Sequence, residues 1–395
     1  MSLVQRRGAE GQRATSLELF YDLVFVFAVT QVSHILLDDL SWEGAGRALL
    51  VLLVVWWSWN YTTWVTNELD PGSIPVRVLL IALMLASLLM AIAIPDAFED
   101  KALLFASSYV AIQVGRHSFL TFVAARPGTV ERMRAARILT WFVAAGALWI
   151  AGAIVEGDAR IVLWALALAI DYGAPLVTFR VPGLPAVTLE AWEVGTEHFV
   201  ERFQLFIIIA LGEAIVLTGS TTAGLELTSA RIATFALAFL ATAALWWLYF
   251  NSVAALAERH LAVAESRTRV ARDAYTYLHV VLVAGVIVNA VGDEIVIAHP
   301  TDRLPAAELV AVGAGPTIYL LGHVALRLRL AGSISWRRLG GALGCVGVSA
   351  IGAAAPAWVV AALLVAVLAA VAAADQVVGA RRMAGGEPAP VDRIG

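Results

Sequence analysis

Long apolar runs recur along the chain from residue 16 to residue 375, separated by short polar interruptions, and within each run the apolar residues are continuous. Crossing about 30 Å of hydrocarbon takes roughly 20 helical residues, and in lipid only helices or closed barrels satisfy the backbone. A barrel would instead show apolar and polar positions in alternation. The pattern therefore predicts an all-α, polytopic transmembrane helical bundle of about 12 helices, at residues 16–37, 46–66, 74–95, 102–123, 136–155, 161–177, 200–219, 232–254, 275–298, 309–328, 339–355 and 358–378.

An internal repeat is expected on top of this pattern. Trp56-Trp57-Ser58-Trp59-Asn60-Tyr61 in the second run matches Trp246-Trp247-Leu248-Tyr249-Phe250-Asn251 in the eighth. Asp96 near the end of the third answers to Asp293 in the ninth, and Gly115-Arg116-His117 in the fourth to Gly322-His323 in the tenth. These matches predict two six-helix repeats in the same orientation, related by a pseudo-twofold along the membrane normal. The expected layout is an N-terminal tail 1–15, a first half 16–179, a connecting loop 180–199, a second half 200–378 and a C-terminal tail 379–395.

Composition sharpens the class. With 60% hydrophobic and 15% charged residues, a soluble fold of this length could not cover its surface with polar groups. The net charge of -4 gives no global basic field, so nucleic acid is not an expected partner. The single cysteine, Cys345, precludes an intrachain disulfide and is expected to pack as a small hydrophobe. The first run contains Glu18 and Asp22 with no small-residue cleavage site behind it, so it is expected to remain as helix 1.

Arginines concentrate in alternate interruptions: Arg6, Arg7 and Arg13; Arg126, Arg132, Arg134 and Arg137; Arg259, Arg267, Arg269 and Arg272; Arg327, Arg329, Arg337 and Arg338; Arg381 and Arg382. The opposite loops hold little beyond Lys101, Arg160 and Arg303. Short cytoplasmic loops retain Lys and Arg, so both termini are expected in the cytoplasm, which requires an even helix count.

Two segments carry a family resemblance. Helix 1 reads Leu17-Glu18-Leu19-Phe20-Tyr21-Asp22-Leu23-Val24-Phe25-Val26, and helix 7 reads Glu201-Arg202-Phe203-Gln204-Leu205-Phe206 followed by Ile209-Ala210-Leu211-Gly212-Glu213. Both look like the hallmark stretches of the low temperature requirement A (LtrA) family, and the tryptophan-rich helix 2 and Ala169-Ile170-Asp171-Tyr172 in helix 6 extend the resemblance over nearly the whole chain. The resemblance implies a bacterial multi-spanning membrane protein. The family name comes from a growth phenotype in the cold and supplies no substrate. A looser similarity exists to potassium channels built from paired six-helix repeats, whose first helix carries Phe-Ser-Asp; Phe20-Tyr21-Asp22 departs from it at the middle residue.

Membrane acids are the informative residues, because a carboxylate near the bilayer centre costs about 2.5–3.5 kcal/mol on insertion scales. Glu18 and Asp22 are four apart, on one helix face and within about 6 Å. They could share a proton, hold a cation or pair with arginines, or Glu18 could sit at the interface with only Asp22 immersed. Gln31 and His34 continue along helix 1 toward the far side. His198, Glu201 and Arg202 occupy successive turns of helix 7, where a Glu–Arg pair could bridge to helix 1. Arg116 and His117 are the intramembrane cations, available to neutralise Asp22 or Asp171. Asp171 precedes Gly173 and Pro175, where a proline frees a carbonyl. Glu213 follows Gly212, whose missing side chain permits close approach, and stands as the foremost single functional candidate. The aromatic cluster Trp56, Trp57, Trp59, Tyr61 and Trp64 is expected to form an interfacial belt; the alternative is that Trp57 and Asn60 line a pocket, with Asn251, Asn289 and His279 serving the second half.

No phosphate-binding glycine loop, HExxH, Gly-x-Ser-x-Gly or DDxxD motif is present in the sequence, and neither cofactor nor metal is expected. The favoured reading is transport of a proton, cation or small solute through a polar path containing Asp22, Asp171, Glu201 and Glu213. Its rivals are an intramembrane enzyme acting on a lipid, with these acids and His198 as acid–base groups, and a structural or sensory protein whose acids simply pair with Arg116 and Arg202. The expected partners are membrane lipid and the transported species, and an oligomer is compatible with all three readings.

Overall fold

A computed structural model describes residues 14–183, 196–253, 261, 264 and 266–384. Most of the expected N-terminal tail, most of the connecting loop and the end of the C-terminal tail, with Arg6, Arg7, Arg13 and Arg259, lie outside the described residues. The fold is all-α, and no β-strand occurs among the described residues. Twelve helices follow the apolar runs: α1 (Ser16–Asp38), α2 (Trp42–Thr66), α3 (Ile74–Ala93), α4 (Ala102–Phe119), α5 (Val130–Ile154), α6 (Asp158–Gly173), α7 (Thr196–Ala223), α8 (Ser229–Leu248), α9 (His279–Ala298), α10 (Ala306–Ala331), α11 (Trp336–Ile351) and α12 (Ala357–Ala384). Short π-helical turns prolong α4 through Leu120–Ala124 and lead into α9 through Ala271–Leu278. Among the described residues, nine helical stretches are long and apolar enough to cross a membrane.

Several helices extend past the apolar runs that predict them. Helix α2 starts at Trp42 rather than Gly46 because Ser41 caps it, its Oγ accepting the Gly44 N–H at 3.1 Å. The Thr129 side chain accepts from the Arg132 N–H and starts α5 at Val130, and Thr228 does the same for α8 through the Arg231 N–H. These caps lie in polar sequence, where a hydropathy window sees only loop.

The chain divides into two compact units. Unit 1 comprises residues 1–34 and 47–202; unit 2 comprises residues 35–46 and 203–395. In unit 1 the successive helices α3, α4, α5 and α6 pack as neighbours, and α2 is the most enclosed candidate span. Arg160, at the start of α6, ties the far end of this unit together. It donates to the carbonyls of Gly152 (3.3 Å) and Val155 (3.1 Å) at the end of α5, and to Phe98 and Glu99 (3.2 Å) before α4. A cation at a helix C-terminus meets carbonyls that have no helical donor. At the other end, Arg134 of α5 pairs with Glu68 in the α2–α3 turn, whose carboxyl burial pushes above the ordinary range against the pull of that guanidinium.

In unit 2, α9, α10, α11 and α12 are likewise successive neighbours, and α8 packs on α12. The tightest pair is α9 with α10, held backbone to backbone by glycine. A Cβ on Gly315 would stand 2.3 Å from the Asn289 nitrogen, and one on Gly285 2.7 Å from the Tyr319 nitrogen. With lipid as solvent, such close approach supplies the packing attraction that water-driven burial cannot. Arg338 of α11 joins His323 (2.8 Å) on α10 to Asp375 (3.0 Å) on α12. Cys345 is buried.

Candidate functional site

The acids of helix 1 are immersed in unit 1 and held by helix 7. Their four-residue spacing puts Glu18 and Asp22 on one face, and Arg202 spans both: its Nη1 donates to Glu18 Oε1 at 2.9 Å and its Nη2 to Asp22 Oδ1 at 2.5 Å. Two parallel donors from one planar guanidinium make this a charge-assisted clamp that a lysine could not reproduce. His198, one turn before Arg202, reaches Glu18 Oε1 with Nε2 at 3.0 Å and lies 3.4 Å from Asn67 Oδ1 through Nδ1. Thr15 donates its N–H and hydroxyl to Glu18 Oε2, each at 2.9 Å. Glu201 points elsewhere, accepting the Ala14 N–H at 2.8 Å. Glu18 is fully enclosed by protein.

Asp22 also accepts the indole N–H of Trp59 at 2.7 Å. This contact corrects the expected aromatic belt. Trp56, Trp57 and Trp59 are buried inside unit 1, because α2 is enclosed on nearly all sides and its indoles meet protein. Trp57 stacks on Tyr172 of α6 at 3.8 Å between ring centroids, and the Tyr172 hydroxyl donates to the Leu53 carbonyl. Asn60 is buried on the same helix, whereas Trp64 is half-buried against Phe199.

A second set of contacts runs from α1 to α6. The Tyr21 hydroxyl donates to Thr62 Oγ1 at 2.8 Å, and Arg116 Nη1 donates to the same oxygen at 2.9 Å and to the Ser58 carbonyl at 3.2 Å. Arg116 Nη2 donates to Gln113 Oε1, and Tyr109 lies one turn before Gln113 on α4. The Tyr109 hydroxyl donates to Asp171 Oδ2 at 2.8 Å, and Trp149 Nε1 to the same oxygen at 3.1 Å. The guanidinium of Arg116 lies over the Tyr61 and Phe142 rings at 5.6 and 5.8 Å, which supply cation–π attraction in place of a carboxylate. Neither Arg116 nor His117 touches Asp22, as the sequence allowed; Arg202 takes that role, and His117 Nδ1 rests on the Gln113 carbonyl at 3.1 Å.

Every member of this set is buried, yet two of its polar atoms, Gln113 Nε2 and Arg116 Nε, have no protein partner among the described residues, and in the clamp Asp22 Oδ2 and Arg202 Nε have none. Helix α6 ends at Gly173, two residues past Asp171, and the following turn docks Phe179 edge-on to Tyr61 at 6.3 Å. Tyr109, Gln113, Thr62 and Trp149 were not singled out from sequence, since such residues are common in apolar helices and only their neighbours mark them.

The remaining candidates lie apart from these contacts. Gln31 is half-buried and His34 exposed at the far end of α1. Glu213 is buried in α7 within unit 2, and a Cβ on neighbouring Gly212 would meet no atom within 4 Å, so no described helix presses on that glycine. In unit 2, His279 Nε2 meets the Tyr249 hydroxyl at 3.0 Å, Asn289 donates to Asp293 at 2.7 Å, and Asn251 is exposed. No three His, Cys, Asp or Glu side chains converge as a metal-holding group among the described residues.

The family model for bacterial low temperature requirement A protein (LtrA) matches residues 13–373. An uncharacterized protein of Rhizobium meliloti (strain 1021) is 37% identical over 319 residues, which cover 81% of this chain and 78% of that protein. No solved structure matches.

Proposed function

From the premise that this chain belongs to the bacterial LtrA family of membrane proteins, we propose that it is a transporter or channel for a proton, cation or small solute, with the buried polar chain of unit 1 as its working element. The observation that carries this reading is a buried polar succession through an otherwise apolar bundle, in which Tyr21, Thr62, Arg116 and Gln113 are joined by hydrogen bonds and Tyr109, one turn before Gln113 on α4, donates to Asp171 of α6. Polar and ionisable groups are expensive at this depth, and a purely structural bundle would be packed more cheaply with apolar side chains. Asp22, held by Arg202, and Glu201 stand at the helix 1 end of the chain. Glu213 is a buried acid of unit 2.

In this reading the arginine-rich loops face the cytoplasm of a bacterial inner membrane, together with both termini. The two units are repeats of one six-helix plan: α3 to α6 in one and α9 to α12 in the other follow the same neighbour order, which supports the repeat suggested by the paired tryptophans. The closed clamp of Arg202 on Glu18 and Asp22 favours one rival, in which the acids serve stability alone.

Proton and cation flux into liposomes separates these readings, comparing wild type with Asp22→Asn, Asp171→Asn, Glu213→Gln and Tyr109→Phe at equal incorporation. Flux in the wild type that falls at least about tenfold in folded Asp171→Asn and Tyr109→Phe supports the chain as the path, since each removes one proton-exchanging group or hydrogen bond. Unchanged flux in both, or none in the wild type for any ion tried, rejects it.

A further inference from the structure

Asp293 of α9 lies at a narrow crevice within unit 2, bounded by α8, α9, α10 and α12 and with room for about one water molecule. Its Oδ2 accepts Nδ2 of Asn289, one turn earlier, at 2.7 Å. That bond points the amide nitrogen at the acid and leaves the Asn289 oxygen as an acceptor. Across the crevice stands Pro316, in the interior of α10. Its ring has no N–H, so the Val312 carbonyl one turn back lacks its helical donor, and Val312 also lines the crevice.

Glycine brings the two helices together beside the crevice. A Cβ on Gly292, the residue before Asp293, would stand 2.8 Å from Val312 Cα and 3.4 Å from its carbonyl oxygen. The two backbones are therefore in direct contact at this level. The other walls are apolar, among them Leu237, Ala241 and Leu364, and no Lys, Arg or His lines the crevice. A carboxylate against apolar walls is costly without a neutralising partner, and among the described lining residues no side chain supplies one.

We propose that the Asp293 carboxylate, the Asn289 amide oxygen and the Val312 carbonyl form a binding site for a monovalent cation of sodium size. The donors are all oxygen, which suits a hard cation. One carboxylate balances one positive charge, whereas divalent calcium takes six to eight oxygens, commonly from several acids. A space of about one water admits such an ion and excludes an organic solute. Carbonyls released at an irregular point of a membrane helix are the groups that hold small cations in carriers. The site stands independently of the transport reading, because binding requires no flux.

The test uses the full chain in lipid nanodiscs at fixed neutral pH, with sodium replacing choline at constant ionic strength, read by thermal midpoint and by radiolabelled sodium binding. The expected result is a saturable rise in midpoint with about one sodium per chain, and its loss in Asp293→Asn. Pro316→Ala restores the N–H opposite Val312 and leaves the acid in place, so it keeps the test decisive if the Asn variant fails to fold. It should weaken sodium binding at least about tenfold, and Asn289→Ala likewise. Sodium indistinguishable from choline, a response retained in Asp293→Asn, sodium affinity unchanged in Pro316→Ala, or a midpoint that follows pH alone would overturn the site.

Discussion

Replacing Arg202 by methionine tests what the clamp on helix 1 contributes. Arg202 is fully buried and donates to both Glu18 and Asp22, which lie on one helix face with Glu18 also bonded to His198. Arg202→Met keeps much of the side-chain volume but leaves two carboxylates facing each other in an apolar interior. Removing one partner of a buried ion pair costs about 3–5 kcal/mol, because the other charge remains unpaired. The full cost is moderated by whatever protons the two acids then take up. The diagnostic companion is the triple change Glu18→Gln, Asp22→Asn, Arg202→Met, which removes all three charges while keeping similar shapes. Buried ion networks replaced wholesale are often near neutral, so the triple variant should recover most of the loss, to within about 1–2 kcal/mol of wild type. The assay is thermal or denaturant unfolding in nanodiscs followed by tryptophan fluorescence, which Trp59 reports directly through its bond to Asp22. The loss should persist at high salt, since solvent ions do not screen a buried pair. The reasoning is refuted if Arg202→Met is as stable as wild type, or if the triple variant is no better than the single one.

Two further perturbations probe the scaffold. Arg160→Ala removes donors to four carbonyls at the junction of α3, α4, α5 and α6 and should cost about 2–3 kcal/mol in unfolding free energy, with Arg160→Lys recovering only part of it, because an ammonium cannot span the same carbonyls. Gly315→Ala pushes a methyl onto the Asn289 backbone and should lower stability by about 1–3 kcal/mol, whereas Gly212→Ala, with open space at the Cβ position, should stay within about 0.5 kcal/mol; equal effects in unfolding measurements would contradict the packing described for α9 and α10.

The helices were legible because lipid demands long apolar runs, and each run names its helix almost by itself. Their true ends were less legible. Ser41, Thr129 and Thr228 lie outside the hydrophobic windows, although each is a side chain of the type that caps a helix and could have been read that way. The acids were visible for a similar reason: a carboxylate such as Asp22 or Asp171 is conspicuous in an apolar run. Their partners were not. Arg202 could be paired with helix 1 only as an option, and nothing in the sequence separates Tyr109 or Trp149 from the many aromatic residues that merely fill space. The tryptophans of α2 were assigned to an interface because lipid-facing indoles collect there, but that rule holds for helices that face lipid. Enclosure of α2 is a tertiary fact, and it turned Trp59 from an expected anchor into a hydrogen-bond donor to Asp22.

The balance of satisfied and unsatisfied groups in unit 1 bears on whether its polar chain is structural or working. The clamp of Arg202 accounts for two acids with one cation, and His198 adds a further side-chain contact to Glu18. Farther along, and among the described residues, Arg116 has aromatic faces and neutral acceptors but no direct carboxylate, while Asp171 has two neutral donors and no direct cation. The two charges attract each other only across space, without a contact pair. Such a separated arrangement is poor design for stability, since a contact pair would gain more Coulomb energy in a low dielectric. The unpartnered atoms Gln113 Nε2 and Arg116 Nε sit at this same point of the chain, and each buried unsatisfied group costs about 1–3 kcal/mol. Stability alone would favour closing that gap with a direct Arg–Asp bond or removing both charges, so the tolerated cost supports a role in which protons or polar species exchange with these groups. The decisive comparison is a double change, Arg116→Met with Asp171→Asn: a structural chain predicts a protein no less stable than wild type and undiminished in flux, whereas a working chain predicts equal or greater stability together with loss of flux.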